Sequence, residues 1–99
     1  MAFSKWSADT KIIFDDGEFS AIWGKYDNGP RNVLGLRWNG SEDWIGFPST
    51  RGVPTWFVVP TPITGAVLSS LLERTLGENG DVGMSHEIVN AYQDFLWQK

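Results

Sequence analysis

Up to residue 60 apolar residues alternate with polar or small ones, and beyond it they recur every three to four positions. A period of two belongs to strands and one near 3.6 to helices. The first predicted strand covers residues 11–14 (KIIF), and the acidic stretch 15–18 (DDGE) turns the chain through Asp16-Gly17, a strong hairpin signal. The second covers 19–26 and ends at Asp27-Asn28-Gly29-Pro30, where Asn-Gly reverses the chain and proline cannot donate to a ladder. The third covers 32–38. Asn39-Gly40 opens the next turn, and Ser41-Glu42-Asp43 extends it. The fourth, 44–47, is stopped by Pro48, and a loop over 49–54 carries Arg51-Gly52 at its tip. The fifth, 55–59, is stopped by Pro60. Short strands joined by short polar turns predict an antiparallel meander.

Thr61 reads as an N-cap, with Pro62 at the first helical position, where its missing N–H costs nothing. Ile63, Val67, Leu68, Leu71, Leu72 and Leu76 share one face of a helix over 62–76, and Gly77 stands where a left-handed residue ends a helix. Residues 78–83 (ENGDVG) read as a loop. Ser85 caps a second helix whose stripe is Ile88, Ala91, Tyr92, Phe95 and Leu96, with Glu87 near its positive end. The predicted fold is one α+β domain over residues 1–99. It is an antiparallel five-stranded meander followed by two C-terminal helices packed on one sheet face.

Alternation also assigns faces. Phe19, Ala21 and Trp23 oppose Ser20, Ile22, Gly24 and Tyr26; Leu34, Leu36 and Trp38 oppose Val33, Gly35 and Arg37; Trp56 and Val58 oppose Phe57 and Val59. Trp38 is thereby assigned to the core, while Trp44 and Trp56 stand between core and surface. Trp6 and Trp97 are read as closing core edges. Both faces of the last two strands are apolar, unlike a sheet with one wet face. Two helices cover one face. The other calls for a curled half-barrel, for Trp6 and the N-terminal segment, or for another molecule.

Composition narrows the chemistry. Ninety-nine residues allow one core, and six of the aromatic residues are Trp, which argues for a folded chain. Without cysteine there is no disulfide framework, thiolate zinc site or Cys nucleophile, which fits a reducing cytoplasm. Residues 1–11 lack an apolar signal region, and no run approaches the ~20 apolar residues of a membrane span. The expected location is therefore cytoplasmic, with no membrane partner. A net charge of −4 argues against nucleic-acid phosphates and suits a basic protein partner. The ribonucleoprotein signature of RNA-binding sheets is missing as well.

His86 is the only histidine, so no imidazole pair holds a metal. No Gly-x-Ser-x-Gly elbow or Gly-rich phosphate loop occurs. The acids at Asp15, Asp16 and Glu18, and at Glu42 and Asp43, fall in turns that Asp side chains support. The stretch 78–83 lacks the ligand spacing of a calcium loop. No cofactor and no metal site is expected.

These readings predict a small non-enzymatic protein of accessory, regulatory, inhibitor or immunity type. It would bind another protein, or a second copy of itself, through an aromatic and arginine sheet surface. The residues assigned to that surface are Trp23, Arg37, Trp44, Arg51 and Trp56. Aromatic anchors would bury apolar area while arginines fix orientation. The alternative is a small-ligand binder or enzyme with a cleft between sheet and helices, which needs converging polar groups. On the first reading, Trp44→Ala and Arg51→Ala weaken association and leave the urea midpoint unchanged; if both variants unfold, these residues belong to the core.

Overall fold

The computed structural model describes residues 5–76 and 82–98. They form β1 (Lys11–Asp15), β2 (Phe19–Lys25), β3 (Asn32–Trp38), β4 (Ser49–Thr50), β5 (Val53–Pro54), β6 (Phe57–Val58), α1 (Thr61–Thr75) and α2 (Val82–Trp97). The architecture is α+β, an antiparallel sheet with two helices, as the two periodicities predict. The five-stranded meander is corrected: four strands pair in the order β1-β2-β3-β6, and β4-β5 form a separate small hairpin.

The reason lies beside β3. Phe57 and Val58 pair with Leu36 and Gly35, while Phe47 bridges to Trp38 further along the same strand. The two segments expected to be consecutive strands thus share one position, as separate pieces of one line. Between them the chain leaves the sheet, and the Thr55 N–H closes the excursion on the Pro48 carbonyl at 3.0 Å. Residues 40–46 cannot be extended. Gly40 and Gly46 have φ of +91° and +89°, and a Cβ on either would strike backbone.

β2 and β3 pair without interruption from Phe19↔Trp38 to Lys25↔Asn32. β1 carries a bulge between Ile12↔Ile22 and Phe14↔Ala21. The extra residue, Ile13, breaks alternation, so Ile13 and Phe14 are both buried while Ile12 is exposed.

The helices lie on the face of Phe19, Ala21, Trp23 and Leu34, where Leu68, Leu71, Ile88 and Ala91 complete the core. Leu34, Leu68 and Ile88 are fully buried, each contributing about 1.5–3 kcal/mol by removal from water. α1 begins one residue earlier than predicted: Pro60, not Thr61, is its N-cap. Its buried stripe is Thr64, Leu68, Leu71 and Thr75, while Ile63 and Leu76 are exposed. The two threonines enter the stripe because their hydroxyls donate to the Pro60 and Leu72 carbonyls, at 3.0 and 2.8 Å. Gly77 and residues 78–81 lie outside the described residues. α2 starts at Val82, so Ser85 is inside the helix rather than its cap; its hydroxyl donates to Thr75 Oγ1 at 2.9 Å. Met84 packs on the core, and its Sδ accepts the Asp15 N–H at 3.2 Å, a tertiary contact that holds this first turn helical.

The second face is closed by the chain itself. Residues 5–7 pair with 25–27 through Ser7 N–H to Lys25 O (2.8 Å) and Asp27 N–H to Lys5 O (2.6 Å). Trp6 and Trp56 cover Ile22, with Tyr26, Val33 and Val58 around them. Gly35 is the seat of Trp6: a Cβ there would stand 2.8 Å from the indole and 2.9 Å from Ile22 Cγ1. Trp6→Ala should lower stability by about 3–5 kcal/mol and Gly35→Ala by about 1–3 kcal/mol. Because both act on one contact, the double variant should lose less than the sum in urea unfolding.

Candidate protein-docking surface

Three of the five residues assigned to a binding surface are interior. Trp23 is buried under α2, where its Nε1–H donates to Asp94 Oδ2 at 2.7 Å and its ring meets Phe95 edge-on. Asn32 Nδ2–H donates to the same oxygen at 2.6 Å, so Asp94 ties α2 to both central strands. Trp56 is part of the second-face cluster. Arg37, 2% exposed, lies on that face with three backbone carbonyls around its guanidinium. Its Nη1–H groups donate to the Thr55 and Pro48 carbonyls at 2.6 and 3.1 Å, and its Nη2–H to the Ile45 carbonyl at 2.7 Å. The guanidinium carbon stands 5.8 Å from the centroid of the Trp56 ring, a cation–π distance. Burial lowers the Arg37 pKa from the usual arginine value, yet a guanidinium stays charged at neutral pH. Arg37 therefore organises residues 45–55 and offers no surface to a partner. Trp44 and Arg51 are exposed, in the 38–47 turn and at the tip of the β4–β5 hairpin.

The surface that the fold does leave open uses other residues. Trp38, Phe47 and Phe57 are 48%, 61% and 53% exposed. Cross-strand partners share a face, so the pairs Trp38↔Phe47 and Leu36↔Phe57 put all three on the helix side of the sheet. The expected core position of Trp38 is corrected here. Alternation assigns its face properly, but Trp38 is the last residue of β3. There it meets Phe19 edge-on at 5.2 Å and keeps about half of its surface open. The backbone holds this aromatic ledge firmly: Trp38 N–H to Phe47 O is 2.7 Å and the reciprocal bond 3.2 Å.

A groove of about 290 Å3 adjoins Trp38, walled by Phe19 and Leu71 and flanked by Asp16, Glu18 and Arg74. Its acids have turn duties as well. Asp16 Oδ1 accepts the N–H groups of Glu18 and Phe19 at 3.0 and 2.9 Å, and Oδ2 lies 3.7 Å from Arg74 Nη2. Asp15 Oδ1 accepts from Gly17 N–H and from Asn39 Nδ2. Asn39 also donates its N–H to Glu18 O, joining the β1–β2 turn to the end of β3.

Elsewhere the molecule offers other open clefts, two of them larger, of about 380 and 400 Å3, on either side of Lys5 and Trp6. An open seam of about 260 Å3 between the sheet and α2 is lined by Trp23, Lys11, Glu87 and Asp94, among others, and a smaller one of about 90 Å3 lies by Phe95 and Gln98. These two, like the groove at Trp38, fall below the ~300–1,000 Å3 of ordinary ligand pockets. Among the described residues no group of three or more His, Asp or Glu is placed to hold a metal ion, and no helix is long and apolar enough to cross a membrane. Ile63, Leu96 and Trp97 are also exposed, at the start of α1 and the end of α2.

One signal for Phe57 was present in the sequence, since its parity with Val59 sets it on the helix side. For Phe47, alternation along an expected strand 44–47 sets it with Ile45 opposite Trp44 and Gly46, but these residues form no strand, so that period does not apply to them. If Arg37 organises this segment, Arg37→Lys and Arg37→Met should each cost about 2–4 kcal/mol, from lost charged hydrogen bonds and stranded carbonyls. Urea midpoints check the cost, and amide exchange at Phe47 and Thr55 should accelerate with it. Comparison with protein-family models, curated proteins and solved structures gives no match, so the aromatic ledge and its acidic flank are the features on which a function can be argued.

Proposed function

We propose that this protein acts by binding another protein through the ledge of Trp38, Phe47 and Phe57. The observation that carries the reading is the half-exposure of three large aromatic side chains on one face of a paired backbone. Elsewhere the sheet spends its aromatics on closing both faces. An exposed apolar group of this kind marks interaction surfaces, and preorganised aromatic anchors supply most of the binding energy at interfaces. Trp44 and Ile45 are also exposed, in the adjoining turn. Recognition is by side chains rather than by an added strand: β6 has two residues and lies between Pro54 and Pro60, which discourage edge pairing.

The test is site-specific photo-crosslinking from positions 47 and 57, with exposed Ile12 on β1 as the control position. A discrete protein adduct from 47 and 57, absent from 12, is expected. With the partner purified, Phe47→Ser and Phe57→Ser should each weaken binding about tenfold or more, as loss of an anchor does. The same substitutions should move stability by under about 1 kcal/mol, because the side chains are already half in water. Equal labelling from all three positions, or unchanged affinity in both variants, would sink the reading.

A further inference from the structure

We infer that the occupant of the ledge is a basic polypeptide segment, which lays a lysine or arginine side chain in the groove between Trp38 and the Asp16–Glu18 turn. The inference rests on the ledge reading and names the chemistry of its partner. The groove is lined by the rings of Phe19 and Trp38 and by Leu71, with Asp16, Glu18 and Arg74 also in its lining. That is the complement of a side chain with an apolar stem and a cationic head. Tryptophan is also the best aromatic face for a cation.

Charge distribution points the same way. The β1–β2 turn and the turn after β3 lie at one end of the sheet, since Phe19 pairs with Trp38. That end carries Asp15, Asp16, Glu18, Glu42 and Asp43. Among the described residues, Arg74 reaches it through a 3.7 Å contact with Asp16 in which Arg74 is 69% exposed, while Arg37 reaches the turn after β3 from the other face, buried and bonded to the Ile45 carbonyl. A long, exposed ion pair holds weakly and exchanges readily for an incoming cation. Lys25 and Arg31 lie at the opposite end, across the β2–β3 turn, with Lys5 paired beside it. Two copies meeting ledge to ledge would bring their acidic ends together, which like-charge repulsion opposes. A basic segment of a different protein meets no such barrier.

The test uses the full chain, labelled with 15N, and reads the Trp38 indole N–H and the Phe57 amide. The probes are three synthetic 12-residue peptides, alternating Arg/Leu, Glu/Leu or Arg/Ser. The Arg/Leu peptide should shift both signals, with the Glu/Leu and Arg/Ser peptides at least about tenfold weaker. Its affinity should fall about tenfold in an Asp16→Asn/Glu18→Gln variant, and the difference should shrink as salt shortens the screening length. Asn at 16 retains the Oδ1 acceptor of the turn. Glu18→Gln alone, at an exposed site, serves as the second variant if the double one unfolds. Equal binding of Arg/Leu and Glu/Leu peptides at the ledge, or no effect of either variant, overturns the basic occupant and leaves the ledge standing. Silence of both signals toward every peptide overturns both readings. Light scattering that shows a dimer dissociated by Phe57→Ser makes a second copy the occupant and also overturns the inference.

Discussion

A single buried cation decides how the second half of the sheet is built. Arg37 projects from β3 with no carboxylate partner among the described residues and donates to the carbonyls of Ile45, Pro48 and Thr55. Leaving such a charge in a protein interior without those acceptors would be very costly. The chain over 45–55 must therefore return to it twice, once on each side of the β4–β5 hairpin. This is what interrupts the line beside β3 and lets Phe47 and Phe57 occupy it as two separate pieces. Gly46 makes the approach feasible, because any Cβ there would press on Arg37 Nη2 and the Trp38 carbonyl.

The same residue links the two faces. On its own side, Arg37 lies by the Trp56 ring in the cluster that Trp6 closes over Gly35 and Ile22. On the other side, the pieces it positions carry Phe47 and Phe57 beside Trp38. A sheet with apolar residues on both faces thus needs two covers, and the chain provides them unequally. The helices and the Trp6–Trp56 pair bury the centre, while the aromatic positions at the acidic end and along β6 stay half open. The proposed docking surface lies where covering stops.

Acids at that end serve two purposes. Asp15 and Asp16 shape the β1–β2 turn through bonds to backbone N–H groups, as expected of Asp in turns. Their remaining charge, with that of Glu18, Glu42 and Asp43, surrounds an aromatic surface. The side chains that shape the turn are thus the same ones that would attract the proposed cationic partner.

How far the sequence reaches can be read from particular residues. Alternation alone settled the faces of β2, β3 and the 56–59 segment, because side-chain direction in a strand is a local property of period two. The helical periods and the Asp-Gly and Asn-Gly turns were local in the same sense. Apart from the α1 cap and the bulge at Ile13, the differences are non-local. Strand count depended on whether residues 44–47 and 55–59 pair with each other or with β3, a matter that Arg37 decides through carbonyls eight to eighteen residues away. Arg37 and Trp56 looked like surface anchors because arginine and tryptophan are common in interfaces, and composition cannot tell a buried guanidinium met by carbonyls from an exposed one. Trp38 looked like core because it continues a buried stripe, yet how far a helix reaches along a strand is set by the packing of whole elements. The sequence by itself determined which side each strand residue faces; only the tertiary structure decided which of those sides are covered, since coverage depends on elements distant in the chain.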